Sequence, residues 1–372
     1  MGTFDDYAAA FGRNPGFLNW AGFAPISASV LAEVSADAEM LSNGRPAAFT
    51  LSRERLDEAR SLVAELIGGG ARSADVSLHS SSTDALMHAF AGLRGTALVS
   101  PAEFPSVSFT AERMAAASAD RLRIGWIEPE GTLVTPEAVA EALDDSVVAL
   151  AVSHVDFRTG YRTDLAALRE VLGPDRLLIV DAVQSFGVVD DAYAAADVVV
   201  GHGYKWLRAG RGTGFAWFSP TARERIEPVL SGWGGIEDDD LPMDAFPPPA
   251  PTGRAYTVGF PDPLAVARLA TALRDVRDAG VPAIEEALAA QVDAVLEIAE
   301  RHGVPVVSPT ARERRAGIVA LAPEEPAALA ASLANAGVFA TARGATIRIA
   351  PHVGTEEETL TMLDDAIIAA GH

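Results

Sequence analysis

The stretch Leu177-Leu178-Ile179-Val180-Asp181-Ala182-Val183-Gln184-Ser185 decides the architecture. Its first four residues are apolar without a break, the mark of a strand buried on both faces. An acid follows at once, and open α/β sheets bind ligands beyond the carboxyl ends of such strands. Working outward, residues 147–152 form a second long apolar run and 198–200 a third. Shorter strand patterns cover 76–79, 97–99, 123–127 and 214–218. Helical patterns lie between them at 84–93, 107–117 and 164–172, with a turn at 80–83. A further helix runs to Leu143, with Thr135 as N-cap and Pro136 in the first helical position. This alternation predicts an α/β domain built on a mostly parallel sheet.

The texture changes over residues 232–251, which hold Glu237-Asp238-Asp239-Asp240 and Pro247-Pro248-Pro249 and read as a surface loop or linker. Beyond it come helices at 263–278 and 283–302, strands at 304–307, 318–321 and 346–349, and helices at 325–336 and 356–370. That order predicts a smaller α+β domain. The expected division is 1–250, an N-terminal segment plus a large domain, and 251–372, a small C-terminal domain. A chain of 372 residues suits two domains at roughly 100–200 residues each.

Hydrophobic residues make up 49% of the chain, enough for a large core. The formal net charge of -22 repels nucleic acid and anionic lipid, so neither is expected as a partner. There is no cysteine, which removes disulfides, thiolate metal sites and a cysteine nucleophile. The start, Met1-Gly2-Thr3-Phe4-Asp5-Asp6, is acidic, without the basic region of a signal peptide. The apolar runs are far shorter than a membrane span. A cytoplasmic enzyme is the expectation.

Lysine and arginine total 29, yet Lys205 is the only lysine. A chain that uses arginine for 28 of its cations keeps one primary amine, a group arginine cannot replace where deprotonation is needed. Lys205 lies in Gly201-His202-Gly203-Tyr204-Lys205-Trp206-Leu207, 24 positions after Asp181 and one strand further on. Both therefore end at the same sheet edge. A lysine amine condenses with an aldehyde cofactor, and a carboxylate keeps a pyridine nitrogen protonated, which makes the ring an electron sink. Elsewhere, Ser81-Ser82-Thr83-Asp84 opens a helix after a strand, a natural anion site.

Asp181-x-x-Gln184 followed by Tyr204-Lys205-Trp206-Leu207 resembles the class V aminotransferase family of fold-type I pyridoxal 5′-phosphate enzymes. That family includes cysteine desulfurases, kynureninases, isopenicillin N epimerase-like proteins and C–S lyases. The resemblance runs from Leu18-Asn19-Trp20-Ala21-Gly22 to the last helix. It implies a mainly parallel seven-stranded sheet in the large domain, a homodimer, and pyridoxal 5′-phosphate held as a Schiff base on Lys205. Asp181 would pair with the ring nitrogen, and Gln184 would meet the phenolic oxygen. Ser82, Thr83, His202 and Tyr204 would serve the phosphate, and Phe104 would stack on the ring, as in kynureninase-like members. His154 would lie near the phenolic oxygen or the substrate, as a third catalytic candidate beside Lys205 and Asp181. Arg348 matches the arginine that grips the substrate carboxylate, with Arg343 as the second candidate. A tyrosine directly before the lysine is also a kynureninase feature.

The chain departs from the family pattern in two places. Without cysteine, persulfide-forming desulfuration is excluded. Gly259-Phe260 stands where relatives carry a Gly-Thr pair that reaches the partner subunit's phosphate. The run Gly210-Arg211-Gly212-Thr213-Gly214 leads into a strand and so fails as a dinucleotide loop. The leading expectation is a reaction at the α-carbon of an amino acid, with transamination first. A C–S or β-lyase is the close alternative and an epimerase the next. A PLP-binding regulatory module is the non-enzymatic alternative.

Overall fold

The unbroken apolar runs become the centre of one sheet. The computed structural model describes residues 3–118, 120–127, 133–191, 193–237 and 244–371; the acidic residues Asp238, Asp239 and Asp240 of the expected linker lie outside them. The strands are β1 (Val76–His79), β2 (Gly95–Val99), β3 (Leu122–Trp126), β4 (Val147–Ser153), β5 (Leu177–Asp181), β6 (Val198–His202) and β7 (Gly214–Phe218). They lie in the order β1-β7-β6-β5-β4-β2-β3. Only β7 runs against the other strands of this sheet, pairing antiparallel with β1 and β6. The fold is thus α/β with a mostly parallel seven-stranded sheet, as expected.

Strand β5 shows why its sequence is apolar throughout. Leu178 and Val180 enter a core shared with Leu150, Val152 and Val199, and Leu177 and Ile179 enter a separate one with Ala149, Ala151, Val198 and Val200. Alternate residues point to opposite faces, and helices cover both faces here, so neither set meets water. Each such side chain contributes on the order of 1.5–3 kcal/mol by leaving water.

Along the chain, α1 (Phe4–Ala9), α2 (Ala28–Ser42) and α3 (Pro46–Ile67) precede β1. Helices α4 (Ser82–Gly92) and α5 (Pro105–Ala117) cover one face of the sheet, and α3 packs on the other. Then come α6 (Pro136–Ala142), α7 (Leu165–Leu172) and the short α8 (Pro220–Arg225). Thr135 caps α6 by accepting from the Ala138 amide at 3.3 Å, with Pro136 next, as the sequence implies. Helices α9 (Pro263–Ala279) and α10 (Val281–Arg301) follow. Although α9 comes after residue 251, its Leu269, Leu273 and Val276 join Leu62 and Val63 of α3 in the large sheet's core.

The last segment forms a second, antiparallel sheet. Its strands β8 (Val319–Leu321), β9 (Thr341–Arg343) and β10 (Thr346–Ile349) lie in the order β8-β10-β9, flanked by α11 (Pro326–Asn335) and α12 (Glu357–Ala369). The strand expected over 304–307 is reduced to one bridge, Val306 to Leu321. Pro305 interrupts it, since proline supplies no donor for a ladder. Helices α1–α3, α8 and strand β9 were not among the elements expected from the sequence. The N-terminal stretch crosses to this second sheet: Leu18 N–H donates to Phe339 O and Trp20 N–H to Ala350 O, at 3.0 and 3.2 Å. Among the described residues no helix is long and apolar enough to cross a membrane.

Candidate active site

Register places the site. Ser153 of β4 lies beside Asp181 of β5, and Asp181 beside Val200 of β6, all at the carboxyl edge. Counting by twos from the shared core, Ser153, Asp181 and His202 fall on the face that α4 and α5 cover. Just beyond that edge is a cavity of about 150 Å³, lined by Asp181, Lys205, Ser82, Thr83, Phe104, Gln184, His202 and Tyr204 among others. Eight of the sequence-nominated residues thus meet in one place. A wider hollow of about 730 Å³ runs past Tyr161, Arg162 and Arg314, but it contains neither the lysine nor Asp181.

Lys205 and Asp181 are each only 5% exposed. Burial pulls the Lys205 amine well below the usual lysine range, and the guanidinium groups of Arg348, Arg343 and Arg211 push the same way against the Asp181 carboxylate. Burial also raises the Asp181 carboxyl, while the Val183 amide, donating to its Oδ1 at 2.9 Å, and Lys205 favour the charged form. No arginine pairs with Asp181 among the described residues, so its charge is available to a cationic ligand atom. The Lys205 Nζ stands over the rings of Phe104 and Tyr204, at 5.4 and 5.7 Å from their centroids.

The opposite end suits an anion. Ser81 caps α4 by accepting from Asp84 N–H at 3.1 Å. By helix geometry the amides of Ser82 and Thr83 have no acceptor within the helix. Thr83 Oγ1 and Ser106 Oγ share a hydrogen bond of 2.8 Å. His202 stacks on Tyr204 with centroids 3.7 Å apart, and its Nδ1 is buried without a partner among the described residues. Burial drives its imidazole well below the usual histidine range, so it is neutral. Arg211 lies over the other aromatic surface, 4.7 Å from the Tyr204 centroid.

Gln184 is braced in two directions: Nε2 donates to Ala21 O at 3.2 Å, and Oε1 accepts from Trp206 Nε1 at 2.8 Å. Behind Ser153, the carboxylate of Glu103 accepts from the Ser153 amide at 3.1 Å and from its hydroxyl. Burial pushes Glu103 up to about 7, helped by the nearby charges of Asp181 and Asp156.

Arg348 is 2% exposed. Its guanidinium donates to Phe157 O at 2.8 Å and Asn19 Oδ1 at 3.4 Å, and its Nε has no partner among the described residues. It forms no ion pair among the described residues. Burial lowers it to about 10, with the Arg343 charge adding to the effect. Arg343 is exposed and lies 5.0 Å over the ring of Phe157, which itself lines the cavity.

Of the nominated residues, His154, Arg343 and Arg348 do not line this cavity, and His154 is turned away from it. It follows Ser153 by one residue, so alternation turns it to the opposite face. There its Nε2 bonds Asp191 Oδ2 at 2.9 Å and its ring meets Tyr193 edge-on, away from the cavity. Ser153 takes the place at the cavity wall. Ser106, Phe157 and Arg211 line it too, without having been nominated. Parity with Asp181 could have found Ser153. Arg211 had no such signal, because a glycine-flanked arginine reads as a turn.

A buried amine, a carboxylate that no arginine among the described residues pairs with, an aromatic wall and a helix N-terminus surround one cavity, and His202 Nδ1 lacks a partner among those residues. These residues fit pyridoxal phosphate. The cradle is tight at its base: a Cβ on Gly214 would lie 2.6–2.7 Å from the Ser81 backbone. Gly214→Ala should therefore displace the start of α4 and weaken cofactor binding at least about tenfold, a loss of roughly 1.4 kcal/mol. Equilibrium titration with pyridoxal phosphate measures it, and unchanged affinity would show that the α4 turn is not part of the cradle.

Comparison with known proteins agrees with this geometry. The aminotransferase class-V model matches residues 17–354. A kynureninase from Deinococcus radiodurans is 30% identical over 294 residues, covering 76% of this chain and 69% of the relative. The structure of a cysteine desulfurase from Thermococcus onnurineus NA1 superposes with a TM-score of 0.85 at 18% identity, over 100% of this chain and 99% of that one. A C-DES mutant with glycine covalently linked to its PLP cofactor gives a TM-score of 0.85 at 18% identity, over 96% and 98%. The cofactor of this family is pyridoxal phosphate. With the sheet order, the lysine and aspartate at its carboxyl edge, and a family match over nearly the whole length, the chain belongs to the class-V aminotransferase family.

Proposed function

We propose that this protein acts at the α-carbon of a free amino acid, with Lys205 as the cofactor's attachment point and as the proton carrier. The observation that carries this reading is charge placement. One cavity buries the chain's only lysine with an aspartate that, among the described residues, no arginine neutralises, and a buried guanidinium with no carboxylate partner among those residues stands nearby. When bound, pyridoxal phosphate supplies an electron sink for charge developing at the substrate α-carbon.

The remaining work belongs to the protein. The lowered Lys205 pKa leaves free amine near neutral pH, able to take a proton from the α-carbon and return it. Asp181 keeps a proton on the ring nitrogen through its negative charge. The amides of Ser82 and Thr83, with the nearby hydroxyl of Ser106, hold the phosphate. Phe104 forms an aromatic wall, and the doubly anchored Gln184 has one amide hydrogen left for the cofactor's edge. His202 and Tyr204 close the phosphate side as a stacked pair. Arg348 binds the substrate carboxylate with a planar fork whose Nε is unspent, and Arg343 adds positive charge at the entrance.

For the outcome at the α-carbon we favour cleavage of the substrate side chain, of the kynureninase kind, over the amino-group transfer expected from sequence. The kynureninase relative supports it, as do Phe104 at the ring position and Tyr204 before the lysine. Incubating holoprotein with single amino acids, kynurenine included, and identifying the products is the test. A shortened amino acid with a released side-chain product supports cleavage. A keto acid, with pyridoxamine phosphate left on the protein, identifies amino-group transfer instead, and inverted substrate identifies epimerisation. We also propose a homodimer, in keeping with the family's habit, which sedimentation measures directly.

The role of Arg348 gives a selective expectation. Arg348→Ala should lower kcat/KM for amino acids by roughly 10- to 150-fold, the value of about 1.5–3 kcal/mol for a charged hydrogen-bonded contact. The corresponding amines, which lack the carboxylate, should lose little. Arg348→Lys should recover only part, because an ammonium offers no fork. Equal losses on amino acid and amine would remove Arg348 from substrate binding.

A further inference from the structure

The start of α4 carries a second cluster, on residues the cofactor cavity does not use. His79 is the last residue of β1, and Asp84 and His88 lie four apart on one face of α4. One ligand-type atom from each of the three falls within 4.8 Å of the others. The imidazole rings are 5.1 Å apart, centroid to centroid.

Serine contacts hold two of the three from outside the cluster. His79 Nε2 is 2.8 Å from Ser77 Oγ, whose hydroxyl is directed to Ala216 O at 3.5 Å. The Ser77 contact occupies Nε2 and leaves Nδ1 on the side of Asp84. Nδ1 lies 3.6 Å from Asp84 Oδ2, and the imidazole favours the charged form of that carboxylate. The same carboxylate oxygen is oriented by Ser80, through its amide at 3.2 Å and its hydroxyl at 3.1 Å. His88 is 2% exposed, and its Nδ1 is buried with no partner among the described residues. A buried polar atom without a partner is costly, and a cation held by all three groups would satisfy it.

We propose that His79, Asp84 and His88 bind one divalent transition-metal ion. Two imidazoles and a carboxylate suit zinc and its neighbours in the first transition row. Bonds of about 2.0–2.2 Å at tetrahedral angles set ligand atoms roughly 3.4 Å apart, close to the His79–Asp84 separation. The cluster contracts by roughly 1 Å to complete the set. The Ser77 and Ser80 contacts are the outer bonds that fix a ligating imidazole and carboxylate. Asp84, partly exposed, supplies the route in and leaves a fourth position for water. A metal here ties the end of β1 to α4, and so stiffens the helix whose first amides face the cavity.

The test uses holoprotein freed of metal with a chelator and then given zinc alone. One zinc per chain should remain after gel filtration, with a raised Tm. Cobalt(II) should give tetrahedral d–d bands that zinc abolishes. His88→Gln and Asp84→Asn should each lower zinc affinity by more than the roughly 10- to 100-fold typical of losing only an outer-shell partner. Wild-type protein that retains no zinc and shows no cobalt bands overturns the site. So does uptake that is unchanged in both variants, since the ion would then sit elsewhere, on the cofactor phosphate included.

Discussion

Lys205→Ala should yield a folded protein that attaches no cofactor covalently and turns over nothing. The argument rests on the sequence count and the burial together. With one lysine in the chain, no other side-chain amine can substitute. Lys205→Arg should fail equally, because a guanidinium stays protonated at any working pH. Borohydride reduction and peptide mapping of the wild type should find the cofactor on the peptide that holds Lys205. A saturated, visibly loaded protein with no label there would defeat the assignment. The pH dependence follows from the same environment. A lysine with a lowered pKa becomes a neutral nucleophile at lower pH than the ordinary value of 10.5. Capture of pyridoxal phosphate by cofactor-free protein should therefore speed up as pH rises, and level off well below that value. Stopped-flow absorbance over the pH range reads the midpoint, and a midpoint at the ordinary value would contradict the burial argument.

Asp181→Asn should bind cofactor and lose most of its chemistry. The amide keeps the shape of the side chain and an oxygen to accept from the Val183 amide. It removes only the negative charge that favours a protonated ring nitrogen. Losing a preorganised electrostatic partner of this kind costs on the order of 10²–10³ in rate. The direct readout is exchange of the substrate α-proton with deuterated solvent, followed by NMR, which isolates proton movement from later steps. Exchange near the wild-type rate would take Asp181 out of this role. The variant should also shift the capture profile described above to still lower pH, because Asp181 is the group that raises the lysine.

The sequence by itself determined the parts that depend on local order. Unbroken apolar runs at 147–152 and 177–180 required strands covered on both sides, and β4 and β5 lie at the sheet's centre. The acid ending one strand and the lysine following the next could only reach the same edge of a parallel sheet, so Asp181 and Lys205 were legible as a pair. The seryl-threonyl turn before α4 announced an anion site because helix starts expose amides whatever surrounds them. Where a pattern was weak, the tertiary structure decided. Helices α1–α3 were not among the expected elements, although Ser27 and Pro46 mark the starts of α2 and α3, and they pack against α9, far along the chain. Residues 304–307 carry β-type side chains, but Pro305 leaves them one bridge. His154 reads as a site residue by its position at a strand end. Strand parity turns it toward Asp191 and gives its place to Ser153. Arg348, Asn19 and the Phe157 carbonyl meet only because the N-terminal stretch crosses to the second sheet. Local sequence sets which way a chain turns and which residues a strand buries. Which side chains share a cavity depends on contacts between segments hundreds of residues apart, and those are settled only when the whole core is packed.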